Sequence, residues 1–219
     1  MKSSKKTVLI IGLGSFGKFA AAKYMELGCE VMVVDTNEEV VNSISPFVTS
    51  AQIADATKPE VLQSIGVSEF DICLVAIGDN FQSSLEITSQ LKECGARYVI
   101  SKSIRSIQEK FLLKNGADEV VYPDKEMAEH LAIRTTADNV LNFFNLTDHI
   151  SIYEIMVPKS WVGKSVIELD VRKRFNVSIV AVKSANRVAI PNAQYVFQDE
   201  EHILIIGEKE DVFKISGMK

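Results

Sequence analysis

Cysteine is scarce: Cys29, Cys73 and Cys94 are the chain's complement. None sits at metal-ligand spacing, and an odd number without a framework excludes a disulfide scaffold and fits a reducing compartment. Cys73 lies inside the apolar run Ile72–Ile77 and reads as a small buried hydrophobe. Cys29 and Cys94 each adjoin a glycine at an expected helix end. Long apolar runs are missing too, and nothing approaches the ~20 residues needed to span a bilayer. Thr7–Leu13, behind Lys2, Lys5 and Lys6, mimics a signal peptide. It is short and enters a glycine turn with no small-residue cleavage site, so the lysines read as a short solvated leader and the protein as cytoplasmic. Nor is there a basic excess. Lys and Arg number 24 against 29 Asp and Glu, for a net charge of −5, which excludes a global nucleic-acid footprint.

What is present is a core-forming chain of 219 residues, 47% apolar, long enough for one large domain or two small ones. It is organised around Thr7–Asp35, TVLIIGLGSFGKFAAAKYMELGCEVMVVD. The apolar run Val8–Ile11 enters Gly12-Leu13-Gly14-Ser15-Phe16-Gly17, a G-x-G-x-x-G pattern. A helical stretch follows, Phe19–Leu27, and then a second apolar run, Val31–Val34, ending at Asp35. Glycines between a strand and a helix, with an acid at the end of the next strand, mark a Rossmann βαβ unit. Gly12 allows the sharp turn, Gly14 lets a phosphate approach the backbone, and Gly17 lets the helix pack on the sheet. The free N–H groups and dipole of the helix start favour an anion. Asp35 would accept bonds from ribose hydroxyls. Thr36 and Asn37 follow it, with no Arg or Lys for a 2′-phosphate, which points to NAD or an adenosine phosphate.

Strand and helix signals then alternate. Helices are expected over 37–44 with Asn37 as N-cap, 58–65, 81–93, 104–114 and 125–136, and strands over 48–54, 71–77, 98–101 and 119–122. Alternation of this kind predicts an α/β fold, a Rossmann-like doubly wound parallel sheet. Its ligand crevice lies beyond the carboxyl ends of the strands. Gly12–Gly17, Asp35, Asp55-Ala56-Thr57, Ile77-Gly78-Asp79 and Lys102 gather there. The helical reading continues through 138–146. Segments 125–136 and 138–146 read either as an arm packing on another subunit or as cover for their own sheet. After Asp148 the pattern changes to a small C-terminal α+β domain, with strands at 151–157, 177–183, 187–190 and 202–206 and helices at 165–175 and 210–215. The expected division is 1–136, a helical crossover or linker 137–148, and 149–219.

At this point the chain resembles the regulator-of-potassium-conductance (RCK) family, whose lobes are the TrkA-N and TrkA-C domains. The first lobe is carried by the Gly12–Gly17 turn, Val33-Val34-Asp35, Ile53-Ala54-Asp55-Ala56-Thr57, Val75-Ala76-Ile77-Gly78 and Gly116-Ala117-Asp118…Tyr122-Pro123. The second is carried by Lys164-Ser165-Val166-Ile167-Glu168-Leu169…Arg172 and Ile203-Leu204-Ile205-Ile206-Gly207. The likeness is to cytoplasmic regulatory subunits of Ktr or Trk potassium uptake systems. It implies homodimers assembling into an octameric ring on a membrane-embedded potassium channel subunit, with ATP, ADP or NAD(H) in the Rossmann cleft changing the ring's shape. Many Ktr-type members carry Arg where this chain has Ser15. Phe16, Lys102 and Arg105 join the implied nucleotide site, the last two as positive charge near phosphates or as solvated surface. Asp124 falls where the family places an acid that helps hold a divalent cation, Mg or Ca, between subunits; a helix N-cap is its plain alternative. Val166, Ile167, Arg172, Asn176 and Pro191 match positions lining a cyclic di-AMP site in relatives, or else belong to an ordinary small core.

The rival class is an NAD-dependent oxidoreductase. It needs a proton donor or acceptor beside the nicotinamide and room for a substrate. His130, His149 and His202 are not at the expected cleft, no helix after the fourth or fifth strand carries a Tyr-x-x-x-Lys arrangement, and the crevice loops are short. A transcriptional redox sensor would need a basic winged-helix segment, and Arg172–Arg174 is too small a run to supply one.

Overall fold

The computed structural model describes residues 5–136, 139–147, 149–185 and 187–217. It divides into two compact units, one ending at Lys125 and the other beginning at Glu126.

The first unit starts from an apolar strand, β1 (Thr7–Ile11), with Val8, Leu9 and Ile10 fully buried. Burying such aliphatic side chains is worth about 1.5–3 kcal/mol each, so β1 takes the centre of the sheet. α1 (Ser15–Glu26), β2 (Glu30–Asp35), α2 (Glu38–Ile44), β3 (Ser50–Ile53) and α3 (Pro59–Ile65) follow. Asn37 caps α2 as expected, its side chain accepting the Val40 N–H, and Gly66 ends α3 in the left-handed region at φ 74°. Then come β4 (Ile72–Val75), α4 (Phe81–Glu93), β5 (Val99–Lys102), α5 (Ser106–Lys114) and β6 (Glu119–Val121). The strands are parallel in the order β3-β2-β1-β4-β5-β6. The order reverses between β1 and β4, and the crevice for a ligand opens there. Two apolar clusters flank β1, one around Leu9, Ile11, Val75 and Leu91, the other around Val8, Ile10, Val33 and Leu74.

The chain leaves this unit within α6 (Pro123–Thr136). Pro123 is already helical, so Asp124 lies in the first turn and is not the expected N-cap. In the second unit, β7 (Val140–Asn145), β8 (Ile150–Met156), α7 (Val166–Leu169), α8 (Val171–Phe175), β9 (Ser178–Ser184), β10 (Arg187–Ala189), β11 (His202–Glu208) and α9 (Lys209–Ser216) build an antiparallel sheet of order β10-β9-β11-β8-β7 over one core.

β7 corrects the helical crossover expected over 137–148. Its two asparagines are weak helix formers, and a short apolar-aromatic run is ambiguous between helix and strand. Pairing with β8 decides for strand. β7 therefore does not cover the sheet of its unit but adds an edge strand to it. His130 of α6 stacks on Phe143 at 4.9 Å, its Nε2 lies 2.9 Å from Asn142 Oδ1, and Ile133 packs on the same core. Residues 137, 138, 148 and 186 of the expected linker and turn lie outside the described residues. The helix expected over 165–175 is split in two at Asp170, which takes φ 43°. A capping box, Ser165 with Glu168, starts the first piece.

Candidate functional site

The glycine turn leaves β1 at Gly12, whose φ of 97° requires glycine. Its N–H donates to Val34 O at 2.9 Å, tying the turn to β2. A Cβ here would stand 2.9 Å from Ile77 Cγ1, so Ile77, just after β4, packs against the turn. At Gly17 a Cβ would fall 2.0 Å from Gly12 O, which is why α1 can press against the strand it follows only with glycine there. Gly14 differs: beyond its chain neighbours, no atom lies within 4 Å of its would-be Cβ. Gly14 and Ser15 are exposed, and Phe16 is half-buried in the first turn of α1. The first turn carries no acidic residue to occupy the positive helix end.

Asp35 closes β2 opposite this opening. Its Oδ2 accepts the Leu13 N–H at 2.6 Å and its Oδ1 accepts the Asn37 N–H at 2.9 Å. The expected ribose acceptor is thus also a clamp on the glycine turn. A carboxylate has about four acceptor positions, so two remain for hydroxyls. Thr36 is exposed beside it. After β3, Asp55 accepts from the Thr57 hydroxyl (2.7 Å) and N–H (3.1 Å), and these bonds hold its carboxyl below the usual range. Ala56 is buried beneath that loop, and Gln90 of α4 donates to Thr57 O at 3.0 Å, fastening it.

Lys102 ends β5 with its side chain 16% exposed. Its ammonium lies 5.8 Å from the centre of the Phe16 ring, 3.8 Å from Asp124 Oδ2, and 3.3 Å from the place a Cβ on Gly78 would take. Arg105 is exposed in the next loop. That loop is organised by Gln108, whose Oε1 accepts the Ile104 N–H, and by Ser103, whose hydroxyl donates to Arg105 O at 2.9 Å. Tyr122 also donates to Ile104 O.

The expected nucleotide residues therefore fall at the carboxyl ends of the strands, in loops held by identifiable bonds. Gln90 and Gln108 escaped sequence reasoning. A lone glutamine on an amphipathic helix carries no signal of the loop it fastens.

Asp124 does not make a cation site from one chain. It is 76% exposed, its neighbour in charge is the Lys102 ammonium, and among the described residues no group of three or more His, Cys, Asp or Glu gathers to hold a metal. Hard divalent cations take six or more oxygens.

In the second unit, Val166 and Ile167 donate their N–H groups to Tyr195 O and Ala193 O, so α7 lies along the segment that follows the half-buried Pro191. Ile167 is 65% exposed, and Val166 packs on the core. Arg172 donates twice to Ser178 Oγ, at 3.2 and 3.1 Å. Asn176, at φ 55°, donates to Asp211 Oδ2. Both polar members of the expected cyclic di-AMP set are engaged within the chain.

The TrkA-N domain family matches residues 8–123 and the TrkA-C domain family residues 150–216. This chain belongs to the TrkA-N and TrkA-C domain family. Among curated relatives, Ktr system potassium uptake protein C of Bacillus subtilis (strain 168) is 35% identical over 95% of both chains. Ktr system potassium uptake protein A of the same organism is 35% identical over 97% of both. Among solved structures, the GsuK channel bound to NAD superposes with a TM-score of 0.70 at 17% identity, covering 99% of this chain and 40% of that one. The TrkA-N match contains every expected nucleotide-site residue from Gly12 to Arg105, and the TrkA-C match contains Val166 to Pro191.

Proposed function

We propose that this protein is a nucleotide-sensing regulatory subunit of a potassium uptake system and not an enzyme. The observation that carries the reading is the opening over Gly14 at the head of α1, with Asp35 across from it and Lys102 on the third side. An adenine nucleotide with an unphosphorylated ribose fits that chemistry: phosphate on the helix start, ribose on Asp35, and no cation at Thr36 or Asn37 to demand a 2′-phosphate. ATP, ADP and NAD(H) share these features. The full-length likeness to Ktr potassium uptake proteins supports a membrane-embedded potassium transporter as partner. No helix among the described residues is long and apolar enough to cross a membrane. We read the protein as acting at the cytoplasmic face through its partner, as homodimers forming an octameric ring. A divalent cation at Asp124 would need oxygens from a second subunit and from phosphates, and cyclic di-AMP would need Arg172 to turn from Ser178.

A nucleotide gates only by binding two states of the assembly unequally. The test is a calorimetric titration of the full chain with ATP, ADP, NAD, NADH and cyclic di-AMP, with and without magnesium. Binding of ADP or ATP supports a Ktr-type gate, exclusive NAD(H) binding a redox-linked sensor, and no binding at all defeats the reading. All three histidines lie beyond residue 125, outside the nucleotide-binding unit. Specific turnover of NADH with a carbonyl substrate would favour the dehydrogenase instead.

A further inference from the structure

The pair formed by Lys102 and Asp124 has an unequal geometry. Lys102 is the confined member, 16% exposed and held between the Phe16 ring, the Gly78 loop and Asp124. Asp124 is the loose member, 76% exposed, at 3.8 Å. The ammonium stands beside the positive end of α1, so two sources of positive potential converge where Ser15 brings no charge of its own.

We propose that Asp124 is an internal stand-in for a ligand's phosphate. Its carboxylate neutralises Lys102 when no anion occupies the crevice, and a terminal phosphate displaces it. The inference rests on reading the crevice as a nucleotide site. It makes Lys102 a specificity-determining residue that favours nucleotides with a terminal phosphate over dinucleotides, whose bridging pyrophosphate carries one charge per phosphorus. Asp124 sets how much phosphate charge is needed. It also accounts for the poor fit of a cation: Asp124 is free to meet one only after Lys102 has found another anion.

The experiment is a double-mutant cycle on the full chain, titrated calorimetrically with ADP and with NAD in a chelator. Asp124→Asn should tighten ADP about two- to fivefold, the range of an exposed ion pair, and NAD by less. Lys102→Met should weaken ADP at least about tenfold through loss of a charge-assisted bond. In the Lys102→Met background, Asp124→Asn should change nothing. That last arm separates displacement from a general loss of negative charge, which would tighten ADP in both backgrounds equally and overturn the proposal. No effect of Asp124→Asn in the wild-type background, or weaker ADP binding, overturns it as well. Asp124 is exposed, so its variant tests the idea even if Lys102→Met folds poorly. Failure of the wild-type chain to bind either nucleotide would instead defeat the nucleotide reading, and this inference with it.

Discussion

A Cβ added at Gly14 meets no atom within 4 Å beyond its chain neighbours, whereas one at Gly17 meets Gly12 O at 2.0 Å. The two glycines therefore separate binding from folding. Gly14→Val should cost less than about 1 kcal/mol of stability, mainly through a poorer N-cap, yet weaken ADP or NAD at least about tenfold. Gly17→Ala should cost about 1–3 kcal/mol or more, because a backbone carbonyl cannot move aside like a side chain. Urea denaturation beside calorimetry checks both. Asp35 combines the two roles. Asp35→Ala leaves the buried Leu13 without its acceptor and should lose about 1–3 kcal/mol of stability together with nucleotide affinity; Asp35→Asn, which keeps one oxygen, should recover part of the stability. Among the thiols, burial pushes Cys73 up to about 12, while Cys29 and Cys94 are partly exposed. A thiol reagent added to folded protein should label Cys29 and Cys94 and reach Cys73 only after denaturant is added.

At the scale of elements, the caps decide where short helices start. Ser165→Ala removes the capping hydroxyl of α7, a helix of four residues, and should cost about 1 kcal/mol, readable as a lower urea midpoint. The same scale shows what the sequence could reveal. The parallel unit was legible because its central strands β1, β2 and β4 are apolar runs bounded by turn residues, and its helices carry start or stop signals such as Asn37, Pro59, Gly66 and Asn80. Phe81–Glu93 was placed to the residue because Asn80 and Gly95 bracket a clean period. β7 was illegible because Val140–Asn145 is too short for periodicity to separate strand from helix; its partner β8 comes later in the chain. The split at Asp170 was hidden for a related reason, since a single non-glycine residue in the left-handed region has no spacing signal. For the candidate site, motif spacing singles out Gly14 and Asp35, and the end of an expected strand singles out Lys102. It could not disclose that Asp35 spends two acceptor positions on its own backbone, or that Lys102 already faces Asp124.

At the scale of the molecule, carboxylates held low in the folded state appear in both units. Burial alone would raise Asp118; the Lys92 ammonium, at 2.6 Å, and the Val99 N–H outweigh it and hold it below the usual range. Burial would likewise raise Glu154, where Lys183 and His202 prevail. A carboxyl lowered by folding contributes stability above its unfolded pKa and loses it as pH falls through the folded value. The stability difference between wild type and Asp118→Asn should therefore hold steady from about pH 7 to 5 and shrink below about pH 4. Urea titrations of both proteins across that range measure it, and a difference that grew on acidification would contradict the assignment.

The place of β1 between β2 and β4 has a consequence for synthesis on the ribosome. The glycine fingerprint is translated early, and Asp35 follows soon after. Yet one flank of β1 stays open until Ile72–Val75 emerges, and Gly12 has no Ile77 to pack against until then. A nascent chain released short of Ala76 holds every letter of the fingerprint but lacks the Ala76 and Ile77 that Gly12 packs against. Pairing across that distance in sequence is slow to form, so the turn is completed late. The signature becomes a crevice only when the reversal in strand order is complete, and until that moment its apolar strand is exposed to association with other chains.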